Sequence, residues 1–186
     1  RLIETLAHEF FHVWNVERIR PRSLEPFEFD EAAFSDDLWF AEGFTNYYDG
    51  LLLVRSGVWD LQRWALDLSV AVERIVNSPA TRYGSAIEMS RQAVFRDRGQ
   101  WADPQNSGNT YLHYYYYGEA IALALDLELR SGFESDLDLL MRTLWERFGR
   151  HEVPYALPDL ERALADVSDR RFAESFFERY VEGRET

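Results

Sequence analysis

The helical spacing of apolar residues constrains the fold of this chain more than any other feature. Leucine, valine, isoleucine and aromatic side chains recur three and four positions apart through most of the sequence, whereas strict alternation of apolar and polar residues is nearly absent. The first pattern builds an apolar face on an α-helix, and the second is typical of half-buried strands. The sequence therefore predicts a mainly α fold with about eight helices.

Turn and capping residues set the expected boundaries of these helices. Ser35 or Asp36 is expected to cap the second helix, Gly57 to follow its end, and Pro79 to stop the third. Polar or proline-containing loops are expected at 18–34 and 97–109, and the first is long enough to suggest a functional loop. The predicted helices span residues 2–16, 37–55, 59–78, 85–96, 114–132, 135–149, 157–168 and 170–183.

Composition excludes several functional classes. The length of 186 residues fits one domain. A formal net charge of −13 argues against a nucleic-acid partner, which needs a basic face. No apolar run approaches the ~18 residues of a membrane span. Since the chain has no cysteine, a metal could be bound only through His, Asp or Glu.

The string HEFFH at residues 8–12 predicts a metal site. His8 and His12 are one helical turn apart, so their imidazoles share a face and can bind one Zn²⁺. Glu9 points to the side of that pair, which suits a base beside the metal rather than a ligand. The alternative is an amphipathic helix that carries two histidines on a polar strip.

Glu42 is the predicted third ligand. It lies among Trp39, Phe40, Phe44 and Tyr48, in a helix where an unpaired carboxylate would be costly to bury. Coordination of Zn²⁺ removes this objection, and a catalytic zinc needs three protein ligands and one open position. The alternative is a glutamate on the helix surface.

Three other polar residues are candidates for contacts around the metal or the substrate. Asn46 and Asp49 follow Glu42 on the same helix, and either could orient the zinc histidines through a hydrogen bond. His113 precedes the tyrosine run and could face the site, although a lone histidine is often structural.

Longer strings in the chain resemble a known family. HEFFHVWNVERIRP, LWFAEGFTNYYDGLLL, YYYYGEAIALALDLELR and FFERYVEG are similar to the glycyl aminopeptidase family, the sixty-first family of metallopeptidases. That family belongs to the gluzincin group, in which HExxH on one helix and a glutamate on the next hold zinc. The alanyl aminopeptidase family is a more distant relative.

The resemblance implies that residues 1–186 are a single helical, thermolysin-like catalytic domain with one Zn²⁺ per chain. Family members place β-rich parts before this domain and a PDZ-type domain after it. Since the chain begins within a predicted helix and without an initiator Met, we expect it to be a fragment that lacks both flanks.

The resemblance also separates the four consecutive tyrosines. In the family, a Tyr-x-Lys-Gly pattern opens a helix beside the zinc, and its tyrosine hydroxyl stabilises the oxyanion. Alignment on Gly118 places that tyrosine at Tyr115 and puts Tyr117 where the lysine usually stands, which is a departure from the pattern. A phenol is a hydrogen-bond donor at neutral pH, so we expect Tyr115 to be catalytic and its neighbours to pack in the core.

The implied function is zinc-dependent hydrolysis of peptide bonds, with Glu9 as general base and a peptide as the partner. Family membership would favour an aminopeptidase that prefers small N-terminal residues such as Gly or Ala. A zinc endopeptidase and a zinc-stabilised interaction domain without catalysis are the alternatives, and a metal-free helical scaffold is a third.

Overall fold

The computed structural model describes residues 2–96 and 105–186. In these ranges the chain forms ten α-helices, short 3₁₀ turns, two π-helical segments and no strand beyond an isolated bridge between Pro21 and Tyr155. This confirms the predicted mainly α fold. The α-helices are α1 (Leu2–Phe11), α2 (Thr45–Arg55), α3 (Leu61–Asn77), α4 (Ala86–Arg91), α5 (Ala93–Arg96), α6 (Ser107–Thr110), α7 (Tyr114–Gly132), α8 (Leu137–Arg147), α9 (Leu157–Val167) and α10 (Arg170–Phe176). The π-helical segments are Trp39–Phe44 and Phe177–Val181, and the 3₁₀ turns are Arg22–Leu24, Pro79–Arg82 and Gly149–His151.

The first helix is shorter than predicted, because α1 ends at Phe11 instead of continuing to residue 16. The amide of His12 still bonds to the carbonyl of His8 at 3.2 Å. The next two amides, of Val13 and Trp14, bond to carbonyls three residues back at 3.2 and 3.0 Å. These tighter turns interrupt the regular helix, although the amides of Asn15 and Val16 again bond four residues back at 3.1 and 3.2 Å, so the second histidine of HEFFH lies in an irregular turn just beyond α1.

The predicted second helix, 37–55, consists of the π-helical segment Trp39–Phe44 followed by α2. Its predicted caps are wrong. The amide of Trp39 donates to Ser90 Oγ of α4 at 2.9 Å, so the cap comes from a distant part of the chain. Ser35 Oγ accepts the amide of Asp37 at 3.1 Å and lies 2.7 Å from Ser23 Oγ, and Asp36 forms an ion pair with Arg91.

Other boundaries match the sequence more closely. Gly57 follows α2 with φ of 74°, and α3 ends two residues before Pro79, as predicted. The helix predicted at 85–96 is divided into α4 and α5. Of the loop predicted at 97–109, residues 97–104 lie outside the described ranges, and the short helix α6 replaces the end of the loop. Within the described ranges, no helix combines the length and apolar character needed to cross a membrane.

Two glycines bring α7 into direct backbone contact with the π-helical segment Trp39–Phe44. A Cβ atom on Gly118 would lie 1.7 Å from the carbonyl oxygen of Trp39, and one on Gly43 would lie 2.3 Å from Gly118 Cα. Only residues without a side chain can occupy both positions. The contact places the first turn of α7 beside Glu42, the residue that precedes Gly43.

Candidate active site

His8, His12 and Glu42 converge where the end of α1 meets the π-helical segment. His8 Nε2 lies 3.1 Å from His12 Nε2 and 3.2 Å from Glu42 Oε2. His12 Nε2 lies 3.4 Å from the same carboxylate oxygen. Four ligands placed tetrahedrally around zinc, at its usual bond lengths to nitrogen and oxygen, are separated by about 3.3 Å. Both the spacing and the donor types therefore fit a zinc ion.

The outer nitrogen of each imidazole is held by a different group. His8 Nδ1 hydrogen-bonds to Asp49 Oδ2 at 3.2 Å, and His12 Nδ1 donates to the backbone carbonyl of Asn15 at 2.7 Å. With the Nδ1 atoms bound in this way, both Nε2 atoms are directed to the point where the ligands converge. Such partners fix the tautomer and orientation of metal-binding histidines.

The pKa values at this centre move in opposite directions. Burial disfavours the charged form of His8, but hydrogen bonds to Asp49 and Glu42 outweigh it and raise its pKa to about 9. Burial would raise the pKa of Glu42, yet hydrogen bonds from His12, His8 and Tyr115 lower it to about 2. Burial raises the pKa of Asp49 to about 6, against the attraction of His8. Glu42 is therefore held as a carboxylate, the form that binds a metal cation.

Tyr115 lies against this centre. Its ring stacks on the imidazole of His8 with centroids 5.8 Å apart, and its side chain hydrogen-bonds to Glu42. The other three tyrosines have different surroundings. Tyr114 and Tyr117 are buried, and the Tyr116 ring lies 4.3 Å from the guanidinium carbon of Arg74. Within the run, Tyr115 is thus the tyrosine that the structure places on the predicted ligands.

A cleft of about 380 Å³ opens beside the convergent ligands. This volume is in the range of small-molecule sites. Glu9, one residue after His8, is exposed and lines this cleft, so its carboxylate lies beside the metal-ligand candidates without joining them. The lining residues are Glu4, Thr5, His8, Glu9, Asn46, Asp49, His113, Tyr115 and Tyr116.

Asn46 and Asp49 are separated by the structure into different environments. Asp49 contacts His8, whereas the Asn46 amide donates to Glu119 Oε2 at 3.5 Å. His113 precedes α7 as its capping residue, and its Nδ1 accepts the amide of Tyr115 at 3.5 Å. It also lines the cleft, as expected of a residue that faces the site.

Asn15 and Glu119 belong to these surroundings but are absent from the sequence predictions. Glu119 is 4% exposed and follows Gly118 in α7. The sequence could have indicated that Glu119 is buried. Glu119, Ala122 and Asp126 recur at helical spacing on the buried face of a helix that is rich in alanine and leucine. For Asn15 the sequence offers little, because its contact with His12 uses the backbone carbonyl that every residue has.

A helical unit that joins HExxH to a glutamate of the next helix, beside an open cleft, has the architecture of a peptidase domain. The chain belongs to the M61 glycyl aminopeptidase family, whose family model matches residues 1–121. This confirms the resemblance found in the sequence.

A solved structure supports the same fold over the whole chain. A crystal structure of an aminopeptidase N family protein from Idiomarina loihiensis is similar with a TM-score of 0.86 and 27% sequence identity. The similarity covers 100% of this chain and 31% of that protein, so the chain spans about a third of its length. A search of the curated proteins gave no significant match.

Proposed function

We propose that this chain is the catalytic part of a zinc-dependent peptidase in which His8, His12 and Glu42 bind the zinc. The observation that carries the proposal is the separation of the three ligand atoms by 3.1, 3.2 and 3.4 Å. Membership of a peptidase family supports the same assignment. When bound, zinc supplies Lewis acidity, which polarises the scissile carbonyl and makes a water molecule more acidic.

Glu9 is the proposed general base. Its position on α1 next to His8 and at the wall of the cleft lets its carboxylate accept a proton from the attacking water. The same carboxylate then passes the proton to the nitrogen of the leaving amine. Proton transfer of this kind contributes about 10²–10⁴-fold to the rate.

Tyr115 is the proposed donor to the oxyanion. The hydroxyl is already beside Glu42, and a phenol can donate a hydrogen bond without losing its proton at neutral pH. Developing negative charge on the carbonyl oxygen is stabilised by a donor that is held in place before the reaction.

Three residues have proposed supporting roles. Asp49 orients His8 through the hydrogen bond to Nδ1, and the imidazole of His113 faces the substrate in the cleft. Asn46 lines the cleft and contacts Glu119, so its proposed role is at the substrate rather than at the histidines.

We further propose that the peptidase is an aminopeptidase with a preference for small N-terminal residues such as Gly or Ala. Support comes from the family and from the similarity to the aminopeptidase N family protein of Idiomarina loihiensis. Carboxylates at the cleft, among them Glu4, Glu9 and Asp49, favour a protonated α-amine over a neutral blocked terminus.

The proposal is tested on the full-length protein by metal analysis and peptide hydrolysis. We expect one Zn²⁺ per chain, loss of activity on chelation, and recovery when zinc is returned. Peptides with a free N-terminal Gly or Ala should be cleaved, and their N-acetylated counterparts should not. Cleavage of both would indicate an endopeptidase, whereas bound zinc without turnover would indicate a structural metal site.

A further inference from the structure

Asn15 connects the two segments that carry the zinc-ligand candidates. Its side chain is fully buried, at 0% exposure. The Nδ2 atom donates to the carbonyl oxygens of Phe40 and Ala41 at 3.1 and 3.2 Å. Thr45 Oγ1 lies 3.3 Å from the same nitrogen. Three oxygens around one nitrogen define which way the amide points. The side chain is thereby bound to the backbone immediately before Glu42.

The backbone of the same residue holds His12. The Asn15 carbonyl accepts the Nδ1 proton of His12 at 2.7 Å, and this leaves Nε2 free to face Glu42. Thr45 reinforces the connection, because its hydroxyl donates to the Ala41 carbonyl at 2.6 Å. Asn15 therefore contacts the histidine through its carbonyl and the Glu42 segment through its amide.

The π-helical segment needs such support from outside. π-helical turns are rare in proteins and occur mostly as short bulges, frequently at functional sites. A buried carbonyl that loses its donor destabilises the structure by about 1–3 kcal/mol. Without the Asn15 amide, the carbonyls of Phe40 and Ala41 would each lose one donor, although Ala41 would keep the Thr45 hydroxyl, and the backbone of this segment would be less firmly held. Such loosening would let the Glu42 carboxylate move relative to the two imidazoles.

We propose that Asn15 is a positioning residue that locks the segment bearing Glu42 to the turn bearing His12, and so sets the affinity for zinc. The effect on affinity rests on the proposed function, whereas the lock itself does not. Asn15 acts through the ligands and touches neither substrate nor reacting atoms.

Two substitutions separate this role from general stability. Asn15→Ala removes the amide donor, and Asn15→Asp is nearly isosteric but turns a carboxylate oxygen toward three oxygens. Val167→Ala is the control, because it makes a small cavity at a buried position of α9, which packs on α8 and α10. The full-length proteins are compared by circular dichroism to confirm folding.

Zinc affinity is measured by competition with a chromogenic chelator, and amide hydrogen exchange of residues 38–45 is measured on the metal-free proteins. We expect Asn15→Ala to weaken zinc binding about 10–100-fold and to accelerate exchange in this segment. Asn15→Asp should have the larger effect, and Val167→Ala should lower thermal stability without either change.

Zinc affinity and exchange in both Asn15 variants equal to those of Val167→Ala would overturn the proposal. If the wild-type protein bound no zinc, the proposed function would be rejected. Hydrogen exchange alone would then test whether Asn15 fixes the Glu42 segment to the turn that bears His12. Faster exchange at residues 38–45 in Asn15→Ala would then support it, and unchanged exchange would overturn it.

Discussion

Glu9 and Glu42 are carboxylates of one site in different surroundings. Glu42 is held by hydrogen bonds from both histidines and from Tyr115, which lower its pKa to about 2. Glu9 is exposed at the cleft, where a substrate and a water molecule have access to it. The same side-chain type therefore suits a metal ligand at one position and a proton carrier at the other.

Glu9→Gln tests the proton-transfer role. The amide keeps the size of the side chain but cannot accept the proton, so we expect turnover to fall by about 10²–10⁴-fold while zinc stays bound. Steady-state kinetics and metal analysis measure the two effects. Glu73→Gln, which removes one exposed carboxylate of α3, is the control. Near-normal turnover in Glu9→Gln would reject this residue as the base.

Tyr115→Phe tests the oxyanion donor. Loss of one such hydroxyl should lower kcat by about 10²–10³-fold, with a smaller change in KM and with zinc retained. Tyr117→Phe is the matched control, because the buried Tyr117 hydroxyl has no hydrogen-bond partner among the described residues. Equal kcat values in the two variants would contradict the assignment of Tyr115.

The contact between α7 and the π-helical segment is the element-level feature on which the site depends. Gly43 and Gly118 allow the two backbones to touch, and Tyr115 lies one helical turn before Gly118 in α7. The proposed oxyanion donor, Tyr115, and the proposed zinc ligand, Glu42, are thus positioned by helix packing.

Gly118→Ala should destabilise the protein by about 3 kcal/mol, because its Cβ would meet the backbone oxygen of Trp39, which cannot move aside as a side chain can. Gly132→Ala, at the end of the same helix, has nothing within 4 Å of its added Cβ and is the control. Guanidinium unfolding followed by circular dichroism measures both. A Gly118→Ala variant as stable as the control would contradict the prediction, because it would show that α7 and the π-helical segment can move apart without cost.

The periodicity of apolar residues was sufficient to predict that the elements are helices but not to predict where the irregular ones begin and end. Spacing of apolar residues predicted the helices, and Gly57 and Pro79 marked boundaries because their effects are local. The cap of Trp39 comes from Ser90, which the fold brings from a distant part of the chain, and the end of α1 at Phe11 follows from irregular backbone hydrogen bonds that the spacing of apolar residues does not reveal. HEFFH and Glu42 could be predicted because the spacing of two histidines and a carboxylate within an apolar helix can both be recognised in the sequence.

A buried acid group, Glu119, gives the stability of the molecule a pH dependence that is separate from the proposed zinc ligands. Glu119 is 4% exposed, and burial is the main cause that raises its pKa to about 8. Repulsion from Asp67, Asp49 and Glu4 adds to the increase, and the hydrogen bond from Asn46 opposes it. The folded protein therefore holds a proton on Glu119 at pH values where the unfolded chain, with an ordinary pKa of 4.5, has released it.

This predicts that wild-type stability declines between about pH 5 and 8 through Glu119, since the folded state binds the extra proton. Glu119→Gln removes the titration. Its stability relative to wild type should rise with pH, by up to about 1.4 kcal/mol per pH unit, and level off above pH 8. Urea unfolding at several pH values measures the trend. Glu128→Gln, exposed on the same helix, should show no trend, and a flat difference for Glu119→Gln would contradict the prediction.

The glycine contact also has a consequence for biosynthesis. All three zinc-ligand candidates are translated by residue 42, but the α7 backbone against which the Glu42 segment packs is translated later. A nascent chain that ends before residue 114 has the ligands without the helix that Gly118 brings against them. Synthesis of the proposed zinc ligands and assembly of the proposed zinc site are thus separate events during translation.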